Sequence, residues 1–198
     1  MMARHALFLD KDGVINVDHG YVCSPERTEF VGGIFDLCRE ATRHDFLNIV
    51  ITNQAGIARG YYTEQQFLAY MDWLRGEFRK YDAQIDAVYY CPHHPVHGLG
   101  EYLRDCGCRK PKPGMIIQAQ RDHNLDLAGS VLLGDCTSDI AAGETAGVGT
   151  CIVARMEDRG ERVSLKAEVT GAVLSELARI GRASSRKGPG HDDVETIR

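Results

Sequence analysis

The sequence predicts an α/β fold, a doubly wound parallel sheet with helices on both faces. Three observations predict it. Short apolar runs alternate with stretches of helical periodicity from the first residues onward. The runs are near-continuously apolar, as strands buried on both faces are, and do not alternate apolar with polar. Three of them stop at Asp10, Thr52 and Asp135, which in such a sheet would meet at the rim beyond the strand carboxyl ends, where ligands bind.

The first strand is His5–Asp10 (HALFLD), stopped by an acid, with Asp12–Gly13 as the turn signal behind it. The spacing of Ile34, Leu37, Cys38 and Ala41 predicts a helix over Gly33–His44. Leu47–Thr52 (LNIVIT) is a β-branched second strand that opens into a polar loop, Asn53–Gly60. Thr63 caps a long helix with Glu64 and Gln65 in its first turn, running to about Tyr81. Ile85–Tyr90 is the third strand, and a stretch rich in Cys, His, Gly and Pro follows it. Pro113 begins a helix that continues through Ile116, Ile117 and Ala119. Ser130–Gly134 is the fourth strand, Asp139–Ala146 a helix stopped by Gly147, and Thr150–Ala154 the fifth strand. A weaker helix spans Val173–Ile180. From Gly181 the composition turns to Gly, Ser and Arg. Residues 1–180 are therefore expected to form one domain, and 181–198 a disordered tail.

Composition narrows the function. A chain of 198 residues, 43% hydrophobic and 26% charged, suits one well-cored globular domain. A formal net charge of -5 speaks against a nucleic-acid partner. No apolar run reaches the roughly 18 residues that span a bilayer. The N-terminus shows no secretory leader, so a cytoplasmic address is expected. Of seven cysteines, Cys23, Cys38, Cys136 and Cys151 are scattered and suit buried small hydrophobes. The other three crowd one stretch.

Asp10 and Asp12 stand two residues apart after a buried strand, so both carboxylates address the same side of an extended chain. Alone, Asp-x-Asp-Gly is also an ordinary turn, and paired acids also serve glycosidases. Three further groups sharpen the choice. Thr52–Asn53 ends the second strand, Lys110 precedes a proline-started helix, and Asp135 with Asp139 follows the fourth strand. Phosphoryl transfer needs this set: a nucleophile, a proton donor, donors to the non-bridging oxygens, and carboxylates for Mg²⁺.

Cys91 and His93 are followed by Cys106-Gly-Cys108. Two closely spaced pairs offering three thiolates and an imidazole match a tetrahedral zinc site, with Gly107 letting both sulfurs of the second pair point at one ion. His94 and His97 compete for the imidazole position, and the spacing from Cys91 favours His93. A closed site of this kind would staple the loop and hold its neighbours Arg109 and Lys110 in place.

With these residues in view, the chain resembles the haloacid dehalogenase-like phosphatases, through FLDKDG, ITN, RKPKPG and LLGDCTSD over roughly residues 5–155. The resemblance implies a Rossmann-like, capless fold. It implies that Asp10 attacks phosphorus and that Asp12 acts as acid and then base. Thr52 and Lys110 would hold the phosphoryl group, and Asp10, the Asp12 carbonyl and Asp135 would bind Mg²⁺. Asp139 would support that metal through water or merely start a helix.

Two subfamilies combine this core with a zinc loop, the heptose 1,7-bisphosphate 7-phosphatases and the histidinol-phosphate phosphatases. NVDHGYV, TNQAGIARG, YYCPHHP and CRKPKPGM resemble the first. That similarity implies substrate contacts from Asp18, His19, Gly20, Tyr21, Thr52, Asn53, Gln54, Ala55, Arg109 and Lys110. It implies a small sugar phosphate as the only partner of a monomeric enzyme serving lipopolysaccharide or capsule synthesis. Where the subfamily usually carries a lysine after Gly134–Asp135, this chain has Cys136, which leaves the anomer open. A zinc-stapled binding protein without catalysis is the non-enzyme alternative.

Overall fold

The computed structural model describes residues 3–158 and 163–185. Five strands, β1 (His5–Leu9), β2 (Phe46–Asn53), β3 (Ala87–Cys91), β4 (Val131–Gly134) and β5 (Thr150–Val153), form one parallel sheet in the order β3-β2-β1-β4-β5. Right-handed crossovers require a helix between successive parallel strands. These are α1 (Ile34–Arg43), the short α2 (Ala55–Ala58) with the long α3 (Glu64–Lys80), α4 (Gly114–His123), and α5 (Thr137–Ala146). A two-stranded antiparallel ribbon, β6 (Met156–Asp158) with β7 (Val163–Leu165), leads into α6 (Ala167–Ser185).

Strand periodicity divides the core into two layers. Leu7, Leu9 and Val50 face one cluster with Ile34 and Leu37 of α1, Phe67, Leu74 and Phe78 of α3, and Val173 and Leu177 of α6. Ala6, Phe8, Ile49 and Ile51 face the other, with Met115, Ile116 and Ala119 of α4 and Ala142 of α5. Because β1 neighbours both β2 and β4, the strand order reverses beside it, and the carboxyl ends of these three strands frame one crevice.

Several boundaries differ from expectation for local reasons. The third strand begins at Ala87, two residues later than its apolar run, and extends to Cys91. The helix expected from Asp139 begins at Thr137, because Asp139 sits at its third position and its carboxylate closes a capping box on Cys136 N–H at 2.9 Å. The last helix starts at Ala167 and runs to Ser185, five residues into the segment read as a tail; Gly181 there passes close under His44. The rest of that expected tail, 186–198, lies outside the described residues. The β6–β7 ribbon and α2 carry no sequence signal strong enough to predict them.

Candidate active site

Asp10 follows β1, Thr52 ends β2, and Asp135 follows β4, so the three expected strand-end residues share the crevice. A cleft of about 390 Å³ is lined there by Asp10, Asp12, Asp18, Gly20, Tyr21, Thr52, Asn53, Gln54, Ala55, Lys110 and Asp135. Tyr62, Cys136, Ser138 and Asp139 complete its wall. His19 and Arg109 do not line it. His19 turns to Glu29 at 2.9 Å, and the Arg109 guanidinium donates to the His93 carbonyl at 3.2 Å.

Lys110 anchors the cleft. Its side chain is 2% exposed, and its ammonium reaches Asp10 Oδ1 at 2.9 Å, Asp139 Oδ1 at 2.7 Å and the Ile51 carbonyl at 2.9 Å. Burial pulls the ammonium down, and the two carboxylates outweigh that and hold it above its ordinary value. Asn53 fixes the Lys110 backbone, accepting from its N–H at 3.0 Å and donating to its carbonyl at 3.1 Å. Both amide groups of Asn53 are thus occupied. Asp139 is equally occupied, with one oxygen on Lys110 and the other on Cys136 N–H. It lies in the first turn of its helix, as one of the two sequence alternatives had it, and its contact with Lys110 is one that neither alternative contained.

Asp10 accepts both of its hydrogen bonds on Oδ1, from Lys110 and from Lys11 N–H at 2.7 Å, which leaves Oδ2 without a hydrogen-bond partner among the described residues. Burial raises its carboxyl from 3.8 to about 6, against the opposing pull of Lys110. Asp12 accepts on Oδ1 from Lys11 Nζ at 2.5 Å and Asn16 Nδ2 at 2.9 Å. Oδ2 of Asp12 meets only Gln54 Nε2, at 3.4 Å. The Gln54 amide also donates to Thr52 Oγ1 at 2.9 Å and accepts from Tyr62 OH at 2.6 Å. With its oxygen already accepting, the Thr52 hydroxyl is left to donate. Tyr62 and Lys11 were not singled out from the sequence; Lys11 stands between the two spaced acids, and which oxygen or amide each side chain turns to is set only in the folded chain.

A divalent cation fits this set. Five carboxylates line the cleft against the single ammonium of Lys110. Burial raises the Asp135 carboxyl, and its Oδ1 is buried without a hydrogen-bond partner. Such an orphaned oxygen is costly unless something coordinates it. Gly13 shapes the same place: its φ is +84°, and a Cβ there would lie 2.1 Å from Asp135 Oδ2. Cys136, its thiol pushed up to about 11 by burial and Asp135, presents a neutral group to the cleft.

Behind Lys110, the sulfurs of Cys91, Cys106 and Cys108 lie 3.1–3.3 Å apart, and His93 Nδ1 lies 3.8 Å from Cys91 and 3.6 Å from Cys108. These separations exceed the ~2.05 Å of a disulfide and converge four donors on one point. Such a set suits one tetrahedral ion. His94 is not among the four gathered donors, and its Nδ1 accepts from the N–H groups of Val96 and His97.

Comparison with known proteins agrees with this geometry. A family model described as HAD-hydrolase-like matches residues 107–180. The chain is 54% identical over 152 residues to the D-glycero-α-D-manno-heptose-1,7-bisphosphate 7-phosphatase of Burkholderia mallei, covering 77% of this chain and 80% of the relative. It is 43% identical to the D-glycero-β-D-manno-heptose-1,7-bisphosphate 7-phosphatase of Vibrio cholerae, covering 90% and 94%. Among solved structures, the D,D-heptose 1,7-bisphosphate phosphatase of B. bronchiseptica, complexed with magnesium and phosphate, superposes with a TM-score of 0.71 at 28% identity, covering 88% of this chain and 98% of that one.

Proposed function

The chain belongs to the D-glycero-D-manno-heptose-1,7-bisphosphate 7-phosphatase family of HAD-like hydrolases, and on that premise we propose how it removes the 7-phosphate to leave heptose 1-phosphate. One observation carries the mechanism: Asp10, Asp12, Thr52, Lys110 and Asp135, from four separate segments, line one cleft. Asp10 Oδ2 attacks phosphorus. The P–O7 bond breaks, its electron pair stays on O7, and Asp12 supplies that oxygen's proton. Water then attacks the phosphoryl group on Asp10 and gives its proton to Asp12. The Asp10–phosphorus bond breaks, which restores the carboxylate and releases inorganic phosphate.

The Thr52 hydroxyl and the Lys110 ammonium hold the non-bridging oxygens during both transfers, Lys110 turning from Asp10 toward the phosphoryl group. Asp10, the Asp12 carbonyl and Asp135 would hold Mg²⁺, which when bound offsets the charge of the phosphoryl oxygens. Cys91, His93, Cys106 and Cys108 would hold a structural Zn²⁺. Asp18, Gly20, Tyr21, Gln54 and Ala55 face the sugar. His19 and Arg109 reach the substrate only by leaving Glu29 and the His93 carbonyl.

Three adjacent unpaired thiols favour a reducing compartment, hence the cytoplasm. No helix among the described residues is long and apolar enough to cross a membrane. The product, a sugar 1-phosphate, is the form that a nucleotidyltransferase consumes, as surface-glycan synthesis requires. The α-anomer is the first to assay, because the relative at 54% identity acts on it. Phosphate release with Mg²⁺ from each anomer and from histidinol phosphate tests the assignment. Faster release from histidinol phosphate would overturn the substrate and leave the Asp10 chemistry standing.

A further inference from the structure

Lys11 stands between the two reacting carboxylates, yet the chemistry above gives it no part. It is fully buried. Its Nζ donates to Asp12 Oδ1 at 2.5 Å, to Asn16 Oδ1 at 3.3 Å and to the Val22 carbonyl at 2.9 Å, above the Tyr70 ring at 5.2 Å. Three acceptors require three hydrogens, so the group is an ammonium whose donors are all used. Asn16, also fully buried, spends both amide hydrogens on Asp12 Oδ1 and the Val17 carbonyl, each at 2.9 Å. Its orientation is fixed, because its own oxygen accepts from Lys11.

Oδ1 of Asp12 therefore faces two groups that only donate. A proton on Oδ1 would point at them and lose both bonds, whereas Oδ2 lies on the side toward Thr52 and the cleft. We propose that Lys11 is a positioning residue for acid–base catalysis. By saturating Oδ1 it confines the transferable proton of Asp12 to Oδ2, and by holding the Val22 carbonyl it ties that acid to the loop bearing Asp18, Gly20 and Tyr21. The proposal rests on the phosphatase mechanism above and adds a cause for the direction of proton transfer.

The test compares kcat/KM, which reports steps through departure of the leaving group, on two esters. The sugar bisphosphate releases an alkoxide that must be protonated; 4-nitrophenyl phosphate releases a phenolate that need not be. Lys11→Met keeps the apolar stem and removes the donors, and Lys11→Arg restores donors. Lys11→Met is expected to lose about 30-fold or more on the bisphosphate and less than about threefold on the aryl ester, with Lys11→Arg recovering most of the loss. Equal losses on both esters, or no loss on either, overturn the proposal.

Because Lys11→Met strands Asp12 and Asn16 without their cation, Asn16→Ala is measured beside it. Removing that second Oδ1 donor is expected to give a smaller loss with the same selectivity; an unselective or absent loss overturns the proposal even if Lys11→Met does not fold. A wild type that hydrolyses another sugar phosphate and not the bisphosphate would sink the substrate assignment alone. The comparison is then made with that sugar phosphate.

Discussion

Burial raises Asp10 to about 6 while its ordinary value is 3.8, and this has a consequence for stability as well as for rate. A carboxyl raised on folding binds more protons when folded. Its contribution is complete below about pH 3.8 and is lost as pH rises through about 6. Asp10→Asn, neutral throughout, is therefore expected to stabilise the metal-free protein at pH 7.5 by on the order of 1–3 kcal/mol, with no gain at pH 3.5. Denaturant unfolding at the two pH values measures this, and a gain of the same size at both would contradict it. Asp139→Asn should keep the fold but loosen Lys110, lowering kcat by about 10- to 100-fold. An unchanged kcat would show that Asp139 does not aim Lys110. Asp10, Asp12, Thr52, Lys110 and Asp135 were legible in the sequence because each ends a strand or precedes a helix within a spaced motif. The hydrogen bonds of Asp139, Tyr62 and Lys11 were not, because spacing does not show which oxygen or amide a side chain turns to.

The loop between β3 and α4 shows what one element contributes. Cys91 ends β3, His93, Cys106 and Cys108 lie in the loop with the two last cysteines directly before Arg109 and Lys110, and Asn53 fastens Lys110 to the end of β2. Cys106→Ser is expected to reduce zinc from one per chain to near zero, lower Tm by several degrees and cost at least about tenfold in kcat. Metal analysis beside a thermal scan checks this; full zinc content in the variant would remove Cys106 from the ligand set. Gly13→Ala tests the opposite wall. A Cβ there meets Asp135 at a positive φ, so weaker Mg²⁺ activation and a loss of about 1–2 kcal/mol in stability are expected. That Cys91, His93, Cys106 and Cys108 would gather could be read from spacing, and His93 could be preferred to His94. The sequence could not show that His94 closes its own turn. The start of α5 was missed because Cys136 is not a usual cap; a carboxylate three residues on does the capping.

At the scale of the molecule, the parallel sheet brings acids from distant segments to one rim and leaves the cleft negative. Alternating apolar runs were enough to foresee that sheet, and the strand-end residues were enough to foresee where its cleft would lie. The β6–β7 ribbon is too short to show a strand period and is held by Gly32, which precedes α1, while the first turn of α6 lies ahead of the apolar spacing read for that helix. A cleft with five carboxylates and one ammonium, itself paired with two of them, should need a divalent cation before it accepts a phosphate dianion. The most direct measurement is phosphorus NMR of D-glycero-D-manno-heptose 1,7-bisphosphate incubated with wild type and Asp10→Asn, with and without Mg²⁺. Loss of the 7-phosphate signal alone, only with wild type and only with Mg²⁺, is the predicted result. Loss of the 1-phosphate, or equal turnover by Asp10→Asn, would contradict the assignment of this cleft and its nucleophile.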